Sequence, residues 1–310
     1  MADPAITPPA AETIAARRSM LIGVGALLAG ACIIAFAAIL VKASPVGPQA
    51  TAFWRLTLAL PALALWLALY RRQAGGAPGS PDMRFIVLAG LFFAGDLAFW
   101  HAGILITTAA NATLLANLTP VIVALAGWIF FKETVTRRFI VVCAVVMTGA
   151  GLLSAGNLAI DPDRLGGDLL SVITAFWYAA YILAARKARE RASAPRVMFL
   201  STLIAAPIAL IITLAFGEDL LPATAEGWVP LILLGVVVHG LGQGAIMFGL
   251  GRVPAPVAAL LILIQPVVAA IAGWVIFDEA LSTIQIAGAG IILAGLYAAQ
   301  ARPAIRTKPR

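Results

Sequence analysis

Four ionisable side chains, Arg55, Asp96, His101 and His239, lie within long apolar stretches whose other charges sit at the ends. A charge at such a place costs roughly 2.5 to 3.5 kcal/mol on insertion scales, so each calls for a partner and a function. Arg55 stands seven residues into one stretch and Asp96 twelve into the next, which runs the opposite way. At 1.5 Å per residue both fall about 10 to 12 Å below the same boundary of a 30 Å apolar layer. They are placed to form an ion pair, either structural or broken during work so that Asp96 takes a proton.

The histidines belong to stripes. Phe93, Leu97 and His101 recur every four residues, as do His239, Gln243 and Met247, so each set lies on one helical face. If both stripes face a common axis, His101, His239, Gln243 and Met247 project with Phe93 towards a central pathway. The alternative for each histidine is an interhelical hydrogen bond. Gly240, Gly242 and Gly244 flank Gln243 and favour a helix that borders water. Trp177 and Tyr181 stand one turn apart. An interfacial belt accounts for tryptophans at stretch ends, such as Trp228, but less readily for Trp177 or Trp100, for which lipid-facing packing is the alternative. A pocket with aromatic walls and few polar groups suits a small amphipathic or aromatic solute, such as a neutral amino acid.

The elements that position these groups are set by composition. Apolar residues make up 62%, charged residues 11%, and the mean hydropathy is +1.00, whereas a soluble domain carries about 25% charged residues. Ten stretches, 20–42, 48–70, 84–106, 110–131, 138–155, 168–186, 197–216, 228–250, 254–277 and 283–300, approach the roughly 20 residues that span a bilayer. They are continuous rather than alternating, so they are helices and not barrel strands. Arg17, Arg18 and the run up to Cys32 imitate an export signal, but the apolar run continues to Val41 and nine more spans follow. Residues 1–15 read as a disordered tail and 303–310 as a cytoplasmic one. Cys32 and Cys143 lie inside spans and read as small buried residues.

The net charge of +7 is distributed by topology. With the N-terminus in the cytoplasm, eighteen Lys and Arg fall on that side, and Lys42 and Arg164 on the other. The positive-inside rule then places both ends in the cytoplasm of a multi-pass inner-membrane protein in contact with anionic lipid, with no nucleic-acid partner.

The chain is also duplicated. At an offset of 146, ten of the thirty residues from Pro120 to Gly149 recur, among them Pro120, Trp128, Phe131 and Glu133 as Pro266, Trp274, Phe277 and Glu279. The halves are 16–156 and 157–302. Five spans per half is an odd number, so the halves insert with opposite orientation. Inverted repeats are the architecture of secondary transporters, whose site lies near the midplane. Pro120 and Pro266 kink their spans and free the carbonyls of Ala116 and Ile262. Glu133 and Glu279 read as turn acids, with Thr136 and Ser282 capping the helices that follow.

These residues carry a resemblance. Pro120 with Phe131-x-Glu133-x-Val135-Thr136, and Pro266 with Phe277-x-Glu279-x-Leu281-Ser282, resemble the EamA family of the drug/metabolite transporter superfamily. The aromatic and histidine content of spans three and six is similar to the YddG-type amino-acid exporters. The resemblance implies an all-α membrane fold in which spans one to four of each half line a central cavity and spans five and ten pack outside it. It implies export of amino acids, aromatic and neutral ones included, by alternating access. Efflux of cationic drugs, transport of another metabolite such as a nucleotide-sugar, and a channel are the alternatives. No metal-ligand cluster, phosphate-binding loop or nucleophile and base pair supports an enzyme or an ATP-driven pump, and no cofactor or metal is called for.

Overall fold

A computed structural model describes residues 10–74, 81–107, 109–131, 134–154, 162–277, 281–300 and 305–306. Backbone groups in lipid must be satisfied within the segment, and the apolar runs accordingly fold as helices. In chain order these are α1 (Ala10–Ile34), α2 (Ala37–Lys42), α3 (Pro48–Thr57), α4 (Leu60–Ala74), α5 (Met83–Ile106), α6 (Ala109–Ala116), α7 (Thr119–Phe131) and α8 (Arg137–Ser154). The second half follows with α9 (Leu165–Ala188), α10 (Ala194–Ala215), α11 (Trp228–Ile232), a π-helix (Leu233–Gln243), α12 (Gly244–Leu250), α13 (Ala255–Ile262), α14 (Gln265–Phe277) and α15 (Thr283–Gln300). Among the described residues, eight helical segments are long and apolar enough to cross a membrane, and Leu114–Ile129 and Thr283–Ala299 are shorter apolar helices.

Two terminal expectations change. Residues 10–15, read as tail, form the first turns of α1, with Ile14 exposed. In the segment read as a C-terminal tail, Ile305 and Arg306 pair antiparallel with Val135 and Thr134.

Several spans are broken where the sequence places prolines. Pro61, Pro120 and Pro266 are the second residues of α4, α7 and α14, where a missing N–H is tolerated because it would be unpaired anyway. The carbonyl that Pro120 leaves without an amide is filled locally: the Thr119 hydroxyl donates to the Ala116 oxygen at 2.8 Å. The start of α15 is closed by a reciprocal cap, Ser282 N to Gln285 Oε1 at 2.9 Å and Gln285 N to Ser282 Oγ at 3.3 Å. Thr136 Oγ1 accepts from Phe139 N at 3.2 Å at the start of α8. Glu133 and Glu279 lie outside the described residues.

The duplication is legible in the helix bounds. Shifted by 146, α6, α7 and α8 coincide end to end with α13, α14 and α15. The packing also exchanges between halves. The partnership of α5 with α9 returns as α1 with α12 and the π-helix, that of α6 with α9 as α13 with α1, and α8 with α15 and α3 with α10 map onto themselves. The exchange fails at the broken spans: α7 packs on α13, and among the described residues α14 makes no comparable packing on α6.

Glycines set the closest approaches. A Cβ on Gly30 would stand 2.5 Å from the Gly242 carbonyl oxygen, and one on Gly288 would stand 2.5 Å from the Leu153 backbone nitrogen. Backbone cannot yield as a side-chain tip does, so Gly288→Ala is predicted to force α8 and α15 apart and destabilise the purified protein by about 1–3 kcal/mol in thermal unfolding. Gly290, one turn face away with nothing within 4 Å, supplies the control: Gly290→Ala leaves the melting temperature unchanged or raises it slightly.

Candidate functional site

Between the two halves lies a cavity with about 110 Å³ open to the centres of water-sized molecules. One water needs roughly 10–15 Å³ by that measure, so several waters or a small solute fit. Its walls come from the break between α1 and α2, from α3, α5, α9 and the π-helix, and from the breaks that precede Pro120 and Pro266. Neither α8 nor α15 contributes a lining residue; they pack on each other instead.

Arg55 and Asp96 both line this cavity and are 4% and 7% exposed. The depth expected from sequence brings them to one chamber, but the ion pair is not made. No Arg55 nitrogen comes within 4.0 Å of an Asp96 oxygen. Arg55 Nε has no hydrogen-bond partner among the described residues. Both side chains are spent on the cavity wall rather than on each other.

The two stripes meet in part. Phe93 packs in tilted contact against Tyr181 at 4.7 Å and His239 at 5.1 Å, and Gln243 Nε2 donates to the Tyr181 hydroxyl at 3.0 Å. His239 and Gln243 sit on the π-helix, a geometry concentrated at functional positions. Phe93, Leu97, Trp100 and Gln243 line the cavity. His239 stands behind Phe93, its Nε2 2.9 Å from Thr202 Oγ1 and its Nδ1 unpartnered. His101 is turned away: its Nδ1 lies 3.0 Å from the Pro48 carbonyl oxygen, and its ring meets Trp100 edge-on. Met247 is fully buried in the core. Trp177 lies over Gly95 between Phe92 and Phe99, away from the lining, and its neighbour Tyr178 faces the cavity instead, stacked on Tyr181 at 5.7 Å.

Sequence reasoning did not find Tyr178, Asn117, Thr119, Thr174 and Gln265 on the wall. Asn117, Thr119 and Gln265 lie within three residues before the kink prolines, so the helix breaks were the signal: unwound backbone at membrane depth belongs beside a cavity.

The two ends of the bundle are fastened differently. At one, the Glu218 carboxylate accepts from Gln49 N at 2.9 Å and Ala50 N at 2.8 Å, tying the loop before α11 to the start of α3. Trp54 Nε1 donates to Leu220 O at 2.6 Å and its ring packs edge-on against Trp228. At the other end, arginines meet helix C-termini, where the backbone dipole favours cations. Arg186 Nη1 donates to Leu250 O at 2.9 Å, Arg189 Nε to Met247 O at 3.2 Å, and Arg252 Nη1 to Phe248 O at 3.0 Å. Burial, joined by the like charge of Arg252, holds the Arg189 guanidinium down to about 10, still protonated at neutral pH.

A model of the EamA-like transporter family matches residues 21–155 and again residues 165–299. The chain belongs to that family. As an EamA-like transporter it is 27% identical over 221 residues to an uncharacterized transporter of Archaeoglobus fulgidus, covering 71% of this chain and 77% of that one. It is 26% identical over 234 residues to the pseudopaline exporter of Pseudomonas aeruginosa, covering 76% and 81%. It is 29% identical over 213 residues to a probable amino-acid metabolite efflux pump of Salmonella typhimurium, covering 66% and 71%. A solved crystal structure superposes with a TM-score of 0.75 at 21% identity, over 92% of this chain and 98% of that one, which establishes a shared fold. The family match thus recovers the same duplication that the residues show.

The bond between His239 and Thr202 joins the π-helix to α10 in the EamA-like transporter. Thr202→Val strips the buried imidazole of its partner and is expected to destabilise by about 1–3 kcal/mol in thermal unfolding. Adding His239→Leu, which removes the orphaned group, recovers part of that loss, and additive losses would show that the two side chains do not act together.

Proposed function

We propose that this EamA-like transporter exports a small metabolite, an amino acid with aromatic and neutral ones included, across the bacterial inner membrane by alternating access. The ten helical segments then form two inverted five-span halves around the cavity, with both chain ends in the cytoplasm. The carrying observation is the failure of exchange at the broken spans. Several symmetry-related helix pairs make matching contacts, α8 with α15 and α3 with α10 among them, but among the described residues α7 meets α13 without a comparable contact of α14 on α6. In a pseudo-symmetric transporter such a mismatch marks the side that is shut: the chamber is closed where α7 ends and α13 begins, and open where α6 begins and α14 ends. With the N-terminus inside, the open side is extracytoplasmic. The opposite state follows by trading the two contacts, with the breaks before Pro120 and Pro266 as hinges.

The substrate class is supported by the wall. Phe93, Trp100 and Tyr178 offer ring faces and Arg55, Asp96 and Asn117 offer polar ends within one small chamber, which fits an amphipathic solute better than a large one. The naming of one relative as an amino-acid metabolite efflux pump points the same way, and that of another as a pseudopaline exporter points to outward transport of a small metabolite.

In proteoliposomes loaded with unlabelled L-phenylalanine, L-leucine or L-alanine, counterflow of the radiolabelled amino acid is expected for at least one of the three. A repeat with an imposed pH gradient reads whether protons are coupled. Exchange of none of them, in vesicles where the protein is folded, removes the amino-acid reading.

A further inference from the structure

Resting on the reading of the cavity as the transport site, we infer that Arg55 and Asp96 are the two jaws of a zwitterion clamp: Arg55 takes a carboxylate, Asp96 an ammonium, and the ligand bridges them. Both side chains are more than nine-tenths buried, both line the cavity, and among the described residues neither makes a hydrogen bond or salt bridge. A structural ion pair would have closed on itself. Two opposite charges held apart in one chamber leave a guanidinium fork and a carboxylate to be satisfied from inside that chamber.

The chemistry of the occupant follows from charge balance. A cation would satisfy Asp96 but meet the repulsion of Arg55, and an anion would do the reverse. A molecule carrying an ammonium and a carboxylate on one carbon satisfies both residues and leaves the chamber neutral. The guanidinium presents paired N–H donors matched to a carboxylate, and the ammonium makes charge-assisted bonds to Asp96. Asn117 Nδ2, buried, unpartnered and on the same wall, adds a donor for the carboxylate end. The rings of Phe93, Trp100 and Tyr178 border the remainder, where the ligand's side chain lies. The clamp therefore selects a compact zwitterion and discriminates against organic cations, although both are amphipathic.

The test compares probes that share a side chain and differ only in charge. L-Phenylalanine is set beside phenethylamine, which lacks the carboxylate, and 3-phenylpropionate, which lacks the ammonium; L-leucine is set beside 3-methylbutylamine and 4-methylpentanoate. Affinity is read on the purified full-length protein from ligand-dependent rises in melting temperature, and by competition against amino-acid counterflow. At least one amino acid is expected to bind about tenfold or more tighter than both of its analogues. Asp96→Asn should lower that amino acid to the level of its deaminated acid, and Arg55→Gln to the level of its amine. Equal competition by an analogue, with exchange intact, overturns the clamp and leaves the transporter reading standing. Binding of neither amino acid overturns the clamp, and counterflow of a wider metabolite panel then decides the transporter reading separately. The comparison on the unaltered chain decides the matter even if a variant does not fold.

Discussion

Two charges carried into an apolar bundle are what the rest of this structure has to accommodate. Arg55 and Asp96 stand on α3 and α5 and line one cavity, and a pair of bare ions there is tolerable only if something satisfies them. The surrounding architecture meets that demand with a chamber rather than with a closed salt bridge. Helix breaks in front of Pro120 and Pro266 open its wall, the π-helix sets Gln243 on it, and Phe93, Tyr178 and Tyr181 line or back it with rings. The charged groups and the broken helices thus serve one design: polar surface at membrane depth exists where a solute can meet it.

On the proposed alternating-access reading, duplication supplies the means of moving a solute. Because α6, α7 and α8 repeat as α13, α14 and α15 with the same bounds, the two halves have the same mechanical parts, and any contact made by one is available to the other. On the proposed reading, the arrangement in which α7 holds α13 without comparable packing of α14 on α6 is one of two equivalent ones, separated by a trade of partners and not by new folding. The glycine-tight pairs, α8 with α15 and α1 with the π-helix and α12, are suited to stay together through such a trade, since their backbones already touch.

Much of this was readable from residue order. Pro, Trp, Phe and Glu in register at an offset of 146 disclosed the repeat, which the family match at residues 21–155 and 165–299 recovers, and continuous apolar runs disclosed the helices. Depth along a helix was also readable, which is why Arg55 and Asp96 fall in one chamber. Rotation about the helix was not. Trp177 and Tyr178 differ by about 100° on the helical wheel, and sequence alone does not say which of them turns to lipid. For the same reason Phe93, His239 and Gln243 meet as their spacing predicts, while His101, on the same face as Phe93 by spacing, is taken by the Pro48 carbonyl and Met247 by the core. The π-helix over Leu233–Gln243 has no local signal beyond its glycines, and the Glu218 latch joins residues 169 apart, a proximity only the folded chain supplies.

The most direct test of the two-state account measures distances between the broken spans. Two spin-label pairs, one across α7 and α13 and one across α6 and α14, are read in lipid with and without a transported solute. Reciprocal behaviour is predicted: a population in which the first pair is short and the second long, and another in which the first is long and the second short. A single unchanging distance for both pairs, or two distances that lengthen and shorten together, would contradict alternation between inverted halves.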